Sequence, residues 1–222
     1  MGFPTVIIGD VGRGSINGMA VAMTATGTIT VGNAITISGP LSFQEQVLDR
    51  LALIATTKAG QQTMQAIDSS KHSMNIIPFA GDNSFCGPNP TWADLQGQTA
   101  KGQAVYDGNG HAIIGPNGKT QLMGTGKGAN TTLQLNPNLT LDNPLDAKNP
   151  MPNDAVLFHE MTHGAHQMNG QADTSPQTGG WDTHEEQNTI STGSPSEADY
   201  LKERGYPYQR TDHDSTFAPN GL

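Results

Sequence analysis

The chain has 222 residues, a net charge of −9 and a pI of about 5.0, the size of one domain or of one domain with an appendage. No Lys/Arg run exists and no apolar stretch is long enough to span a bilayer, which disfavours nucleic-acid, anionic-membrane and membrane-spanning roles. The single cysteine, Cys86, excludes an intramolecular disulfide and a cysteine-based zinc site, while 27 Gly and 14 Pro predict a loop-rich fold.

The N-terminus lacks a basic segment followed by an apolar core, so no signal peptide is expected. Residues 3–40 are rich in Gly and Thr. Short β runs at 5–8, 20–23, 28–31 and 34–37 predict strands or an extended arm. The run Gly9 to Gly14 lacks the Lys-Ser/Thr of a phosphate loop and reads as turns. Composition shifts at Gly39-Pro40. Ser42 and Glu45 then form a capping-box pattern, and Val47, Leu48, Leu51, Ile54 and Ala55 recur at helical spacing. A second short helix is predicted from about Ala59 to Ile67, and a strand over Met74 to Ile77. Residues 81–110 read as mostly loop, with Cys86 a small buried or half-buried residue rather than a nucleophile. His111 to Ile114 and Thr131 to Leu135 read as strands, and 136–153 as an approach loop. His72 and His111 are isolated and read as surface or hydrogen-bonding residues.

Val156 to Met168 contains His159-Glu160-Met161-Thr162-His163, an HExxH motif. Residues four apart share one helix face, so both imidazoles can meet one tetrahedral zinc ion. Glu160 cannot easily join them on the metal but can reach a metal-activated water, the position of a general base. Leu157, Phe158, Met161, Ala165 and Met168 are apolar at helical spacing. Pro152, Asn153 and Asp154 predict the helix start and Gly170 its stop. A further loop is expected over 169–180 and a helix over Ser196 to Gly205.

A catalytic zinc site needs a third protein ligand. His166, Asp182, His184, Glu185 and Glu186 are candidates. The metzincin pattern is excluded because His166 and Asn169 stand where it needs Gly and His, and a thermolysin-type Asn-Glu-x-x-x-Asp is absent. The fold expected from the residues is α+β, with the motif helix beside a small mixed sheet.

The motif through His166, with a later Glu185-Glu186-x-x-Thr189, resembles the zinc site of clostridial neurotoxin light chains and of the related bacterial type III effector metallopeptidases. The resemblance implies a zincin-like fold. It implies Glu185 as third zinc ligand, Glu186 as the outer partner that orients a ligand histidine, and His166 as a motif histidine that is not a ligand. Ser196-Glu197 through Gly205-Tyr206-Pro207-Tyr208-Gln209-Arg210 is similar to a C-terminal stretch of that family. Carried over, Arg210 falls near a catalytic Arg, and His213 stands where the family has Tyr, both expected to stabilise the oxyanion. Tyr206 and Tyr208 are rival donors.

Residues 1–40 are similar to the stem of a type VI secretion spike of the VgrG kind, one of which ends in a peptidase with a closely similar motif helix. The implied organisation is a β-rich stem over 1–40, joining a trimeric spike, and a zinc metallopeptidase domain over 41–222. The implied function is an injected endopeptidase toxin acting on a protein or peptide in a target cell, in a bacterial periplasm or a eukaryotic cytosol. The same residues would serve a zinc amidase or endopeptidase acting on cell-wall peptides. A non-catalytic spike-tip or adaptor domain would have no use for Glu160.

Overall fold

The structure is a computed structural model that describes residues 13–89, 126–213 and 216–220. The expected strands at 5–8 and 111–114 lie outside the described residues.

Four short strands open the fold: β1 (Arg13–Ile16), β2 (Met19–Met23), β3 (Ile29–Val31) and β4 (Ile35–Ile37). They run antiparallel in a meander. Asn17 and Gly18 join β1 to β2 with φ of 49° and 79°, the left-handed pair that matches strand twist in a two-residue hairpin. Helices α1 (Leu41–Ile54) and α2 (Lys58–Asp68) follow. Then come β5 (Met74–Pro78), β6 (Phe85–Asn89) and β7 (Asn130–Leu135).

All seven strands form one mixed sheet in the order β1-β2-β3-β4-β5-β7-β6, with β4, β5 and β7 parallel. The class is therefore α+β, as expected. The sheet is larger than the small one expected, because the Gly/Thr-rich N-terminal residues contribute four strands to it. Strand β6 is a correction: residues 85–89 were expected to be loop, yet they pair antiparallel with β7. Gly87 and Pro88 hide the strand pattern. Proline is tolerated because β6 ends the strand order, where a missing N–H leaves no ladder bond broken on the outer side.

The capping box expected at Ser42 is also absent. Helix α1 begins two residues earlier, with Pro40 in the cap position: the Pro40 carbonyl accepts from the Phe43 and Gln44 N–H groups, and no side-chain cap bond forms. In α2, by contrast, Thr57 Oγ1 accepts from the Gly60 N–H.

Helix α3 (Asn153–Met168) carries the motif and is buried over nearly its whole circumference. It lies against β6 and β7 on one side and against α1, α2 and α5 (Glu197–Glu203) on the others. A helix surrounded in this way is anchored by side chains all round it. Phe158 stacks on Tyr200 of α5 with ring centres 4.4 Å apart, and each fully buried aromatic or aliphatic side chain contributes roughly 1.5–3 kcal/mol. At the start of α3, Asp154 accepts from the Tyr200 hydroxyl and from Arg204 Nε rather than capping the helix. At its end, Gly170 has φ 63° and the Gln171 N–H returns to the His166 carbonyl, which is how a left-handed residue closes a helix.

After α3 the chain loops to α4 (His184–Gln187), capped by Thr183 and continued by a π-helical turn over Asn188–Thr192. Neither was expected. Ser196 and Asp199 form a reciprocal capping box on α5. The chain ends in a small hairpin of β8 (Tyr208–Arg210) and β9 (Phe217–Pro219).

Candidate metal centre

The central turns of α3 present His159 and His163 on one face, one helical turn apart. Their Nε2 atoms face each other at 3.0 Å. Helix α4 brings Glu186 to the same point, with Oε2 3.3 Å from His163 Nε2 and 3.6 Å from His159 Nε2. These three residues form a group able to hold a metal ion. Glu186 Oε2 is buried and has no hydrogen-bond partner among the described residues.

The grouping differs from the expected one in its carboxylate. Glu185, expected as the third ligand, stands behind His163: its Oε1 is 2.9 Å from His163 Nδ1, not on the Nε2 side. Glu186, expected as the outer partner, takes the inner place. The reason is the helix that carries them. Successive residues point about 100° apart around a helix axis, so only one of two adjacent carboxylates can face the paired Nε2 atoms.

Behind each imidazole lies a buried carboxylate. Glu185 Oε1 also meets His166 Nδ1 at 2.7 Å and accepts from Thr189 Oγ1 at 3.3 Å, while its Oε2 accepts from the Asp173 N–H at 3.1 Å. On the other side Glu197, wholly buried in α5, has Oε2 3.0 Å from His159 Nδ1. Arg210 from β8 binds Glu197 through Nε and Nη2, and its Nη2 also lies 2.9 Å from His159 Nδ1. The sequence reading assigned no role to Glu197 or Thr189. Two signals were available, Thr189 in the Glu185-Glu186-x-x-Thr189 pattern and Glu197 beside Ser196 at a helix start, and neither marked a buried partner of the histidines.

Burial and charge set the protonation of the cluster. Burial raises the Glu160 pKa, and Glu186 adds to this against the opposing pull of His159, His163 and Arg210. Burial also works against the charge on Glu186, but His163 and His159 outweigh it and hold the carboxyl at about 2. Burial opposes the charge on Glu197 as well, and Arg210 with His159 holds it at about 2. Glu185 is held well below the usual carboxylate range by His166 and His163, again against burial. Cys86 lies buried nearby. Burial, then Glu160, pushes its thiol well above the ordinary value, which leaves it inert.

A cleft opens over the cluster. His159, Glu160, His163, Glu186, Arg210 and His213 all line it. Of the expected charge-stabilising residues, Arg210 lies in the wall beside His159. His213 lies at the mouth, with Nδ1 2.7 Å from Asp182 Oδ2 and Nε2 3.7 Å from Glu186 Oε2. Tyr206 and Tyr208 are not among the described residues that line the cleft; the Tyr206 hydroxyl donates to the Asn149 carbonyl instead. His184 lies 3.1 Å from Gln177 Nε2 through its Nδ1, apart from the cluster. His72 Nε2 lies 2.9 Å from the Lys127 carbonyl, as a hydrogen-bonding histidine would, and His111 is outside the described residues.

No curated protein matches the chain. The whole of this cluster falls within residues 32–219, which match the model of the Peptidase_M91 family, described as effector proteins, and the chain belongs to that family of peptidase effectors.

Proposed function

We propose that the protein is a zinc-dependent endopeptidase of zincin type, in which His159 Nε2, His163 Nε2 and Glu186 Oε2 hold the ion and Glu160 is the general base. The observation that carries this reading is the convergence of the buried Oε2 of Glu186, which makes no hydrogen bond among the described residues, on two imidazole nitrogens. The spacing supports the same reading. Ligand atoms about 2.0–2.1 Å from a tetrahedral zinc lie about 3.3 Å from each other, and the three separations here are 3.0, 3.3 and 3.6 Å.

Zinc at this point would supply Lewis-acid chemistry, polarising the scissile carbonyl and making water more acidic. The remaining work belongs to the chain. His163 donates its Nδ1 proton to Glu185, which turns its Nε2 lone pair inward, and Glu197 with Arg210 fixes the Nδ1 side of the His159 ring. The Glu160 carboxylate takes a proton from the water whose oxygen attacks the carbonyl carbon. It returns that proton to the amide nitrogen as the C–N bond breaks. Burial raises its pKa in the metal-free protein, the direction a base needs. Arg210, kept charged by Glu197, provides positive charge in the cleft wall for the developing oxyanion. His213, held by Asp182, is the second such group.

As an effector, the protein acts on a protein or peptide of a target cell. We assign delivery to a bacterial type VI secretion spike, joined through the N-terminal part of the chain; the boundary expected at residue 40 is not kept, because β1 to β4 share one sheet with β5 to β7 and the family match begins at residue 32. In support, β1 ends the sheet opposite β6, whose Phe85 and Cys86 line the cleft. No helix among the described residues is long and apolar enough to cross a membrane.

The test has two parts. Elemental analysis should find about one zinc per wild-type chain, with the metal lost in His159→Ala and Glu186→Ala. Incubation with target-cell extract, followed by mass spectrometry of new N-termini, should find cleavage products with wild type and none with Glu160→Gln, although that variant keeps its zinc. Cleavage by Glu160→Gln at the wild-type rate would overturn the mechanism.

A further inference from the structure

His166 stands a turn beyond His163 on α3 and is not one of the three grouped residues. Yet His163 Nδ1 and His166 Nδ1 converge on a single atom, Glu185 Oε1, at 2.9 and 2.7 Å. Thr189 Oγ1 approaches the same oxygen at 3.3 Å, and the Asp173 N–H holds the other oxygen at 3.1 Å. The Glu185 carboxylate is therefore gripped from α3, from the loop before α4 and from the π-helical turn after it. The grip holds Glu185 near the start of a short helix that changes to a π-helical turn three residues later. The shortest of these contacts is the one from His166.

We infer that His166 is a positioning residue for the metal-holding face of His163, acting through Glu185. By donating to Glu185 Oε1 it keeps that carboxylate where it accepts the His163 Nδ1 proton. This fixes the His163 tautomer and leaves the Nε2 lone pair facing His159 and Glu186. Without the His166 donor, Glu185 loses its shortest restraint. The His163 ring is then free to sample orientations that turn Nε2 away. His166 thus strengthens the centre without touching it. The inference rests on the zinc reading above and adds a residue to it.

Zinc affinity, measured by competition with a chromophoric chelator, tests this without any substrate. The variants are His166→Leu, His166→Asn, Glu185→Ala and the double variant His166→Leu/Glu185→Ala. Asparagine places an amide N–H close to where the imidazole has Nδ1–H, so it keeps the donor; leucine removes it. Loss of an outer partner weakens metal binding about 10- to 100-fold. Glu185→Ala is expected in that range, His166→Leu at about tenfold, at its lower end because the effect is relayed, and His166→Asn within about threefold of wild type. In the Glu185→Ala background the leucine substitution should have no further effect, the non-additivity expected of residues acting in series. Unchanged affinity in His166→Leu, failure of asparagine to restore it, or an undiminished effect in the Glu185→Ala background would each overturn the inference while leaving the zinc reading intact. A wild-type protein that binds no zinc would overturn the zinc reading, and this inference with it.

Discussion

Glu197 Oε2 lies 3.0 Å from His159 Nδ1, and the same carboxylate receives both Nε and Nη2 of Arg210. One buried acid thus orients an imidazole of the candidate centre and neutralises the cation in the cleft wall. Removing one partner of a buried ion pair costs about 3–5 kcal/mol, because the other charge is left without compensation. Glu197→Ala should destabilise the protein by about that much in urea titration, and it should weaken zinc binding as well. Glu197→Gln keeps an acceptor for His159 but not the charge for Arg210, so it should recover part of the zinc affinity and less of the stability. Equal loss of both in the two variants would argue against the double role.

How far the site could be read in the sequence follows from the range of each contact. His159, Glu160 and His163 are brought together by one helix turn, so spacing alone is enough to join them. Helix α3 was legible for the same reason, through its apolar period and the stop at Gly170. The choice between Glu185 and Glu186 was not, because it depends on how a short helix, capped by Thr183, is rotated against α3. Glu197 was hidden more deeply. Its buried partners, His159 and Arg210, come from α3 and β8, and no local pattern links the three. Strand β6 was missed because Gly87 and Pro88 erase the alternation that marked β7.

Acid should unfold the metal-free protein over a defined window. Glu197 has a pKa of about 2 in the folded state against an ordinary 4.5, and Glu186 is held at a similar value by His163 and His159. A carboxyl depressed on folding binds its proton more readily in the unfolded chain. Its stabilisation is therefore complete above about 4.5 and is lost as pH falls toward 2. Urea midpoints of metal-free protein should decline across that range, with a shallower decline in Glu197→Gln. An equal slope in the variant would place the acid sensitivity in other carboxyls.

His213 provides a separate test of the cleft mouth. Its contact with Asp182 joins two loops, and Asp182 holds a left-handed backbone with φ 60°. If His213 stabilises charge only as the reaction proceeds, His213→Ala should lower kcat by about 10- to 100-fold with little change in KM, the pattern of an interaction made only in the transition state. Zinc affinity should be unchanged. Asp182→Ala should give a smaller loss, and none in the His213→Ala background. A rise in KM alone would instead make His213 a substrate-binding residue.

Gly60 tests the packing beneath the centre. It lies in the first turn of α2, where alanine would ordinarily gain up to about 1 kcal/mol from helix propensity. A Cβ here would stand 1.9 Å from the Ile54 carbonyl oxygen and 2.6 Å from its carbon. Those are backbone atoms at the end of α1, so no side-chain rotation relieves the clash and α2 must move. Overpacking of this kind typically costs about 1–3 kcal/mol, which outweighs the propensity gain. Gly60→Ala should therefore lower the urea midpoint without changing its slope, while Gln62→Ala, exposed on the same helix, should be within about 0.5 kcal/mol of wild type. Gly164 on α3 provides the contrast. A Cβ there meets the tip of Met74 at 2.1 Å and Cys86 Sγ at 3.2 Å. A flexible methionine can give way where a carbonyl cannot, so Gly164→Ala should cost less than Gly60→Ala. The reverse order would mean that the Met74 side chain is locked by the core and that α3 is fitted to the sheet more tightly than α2 is to α1.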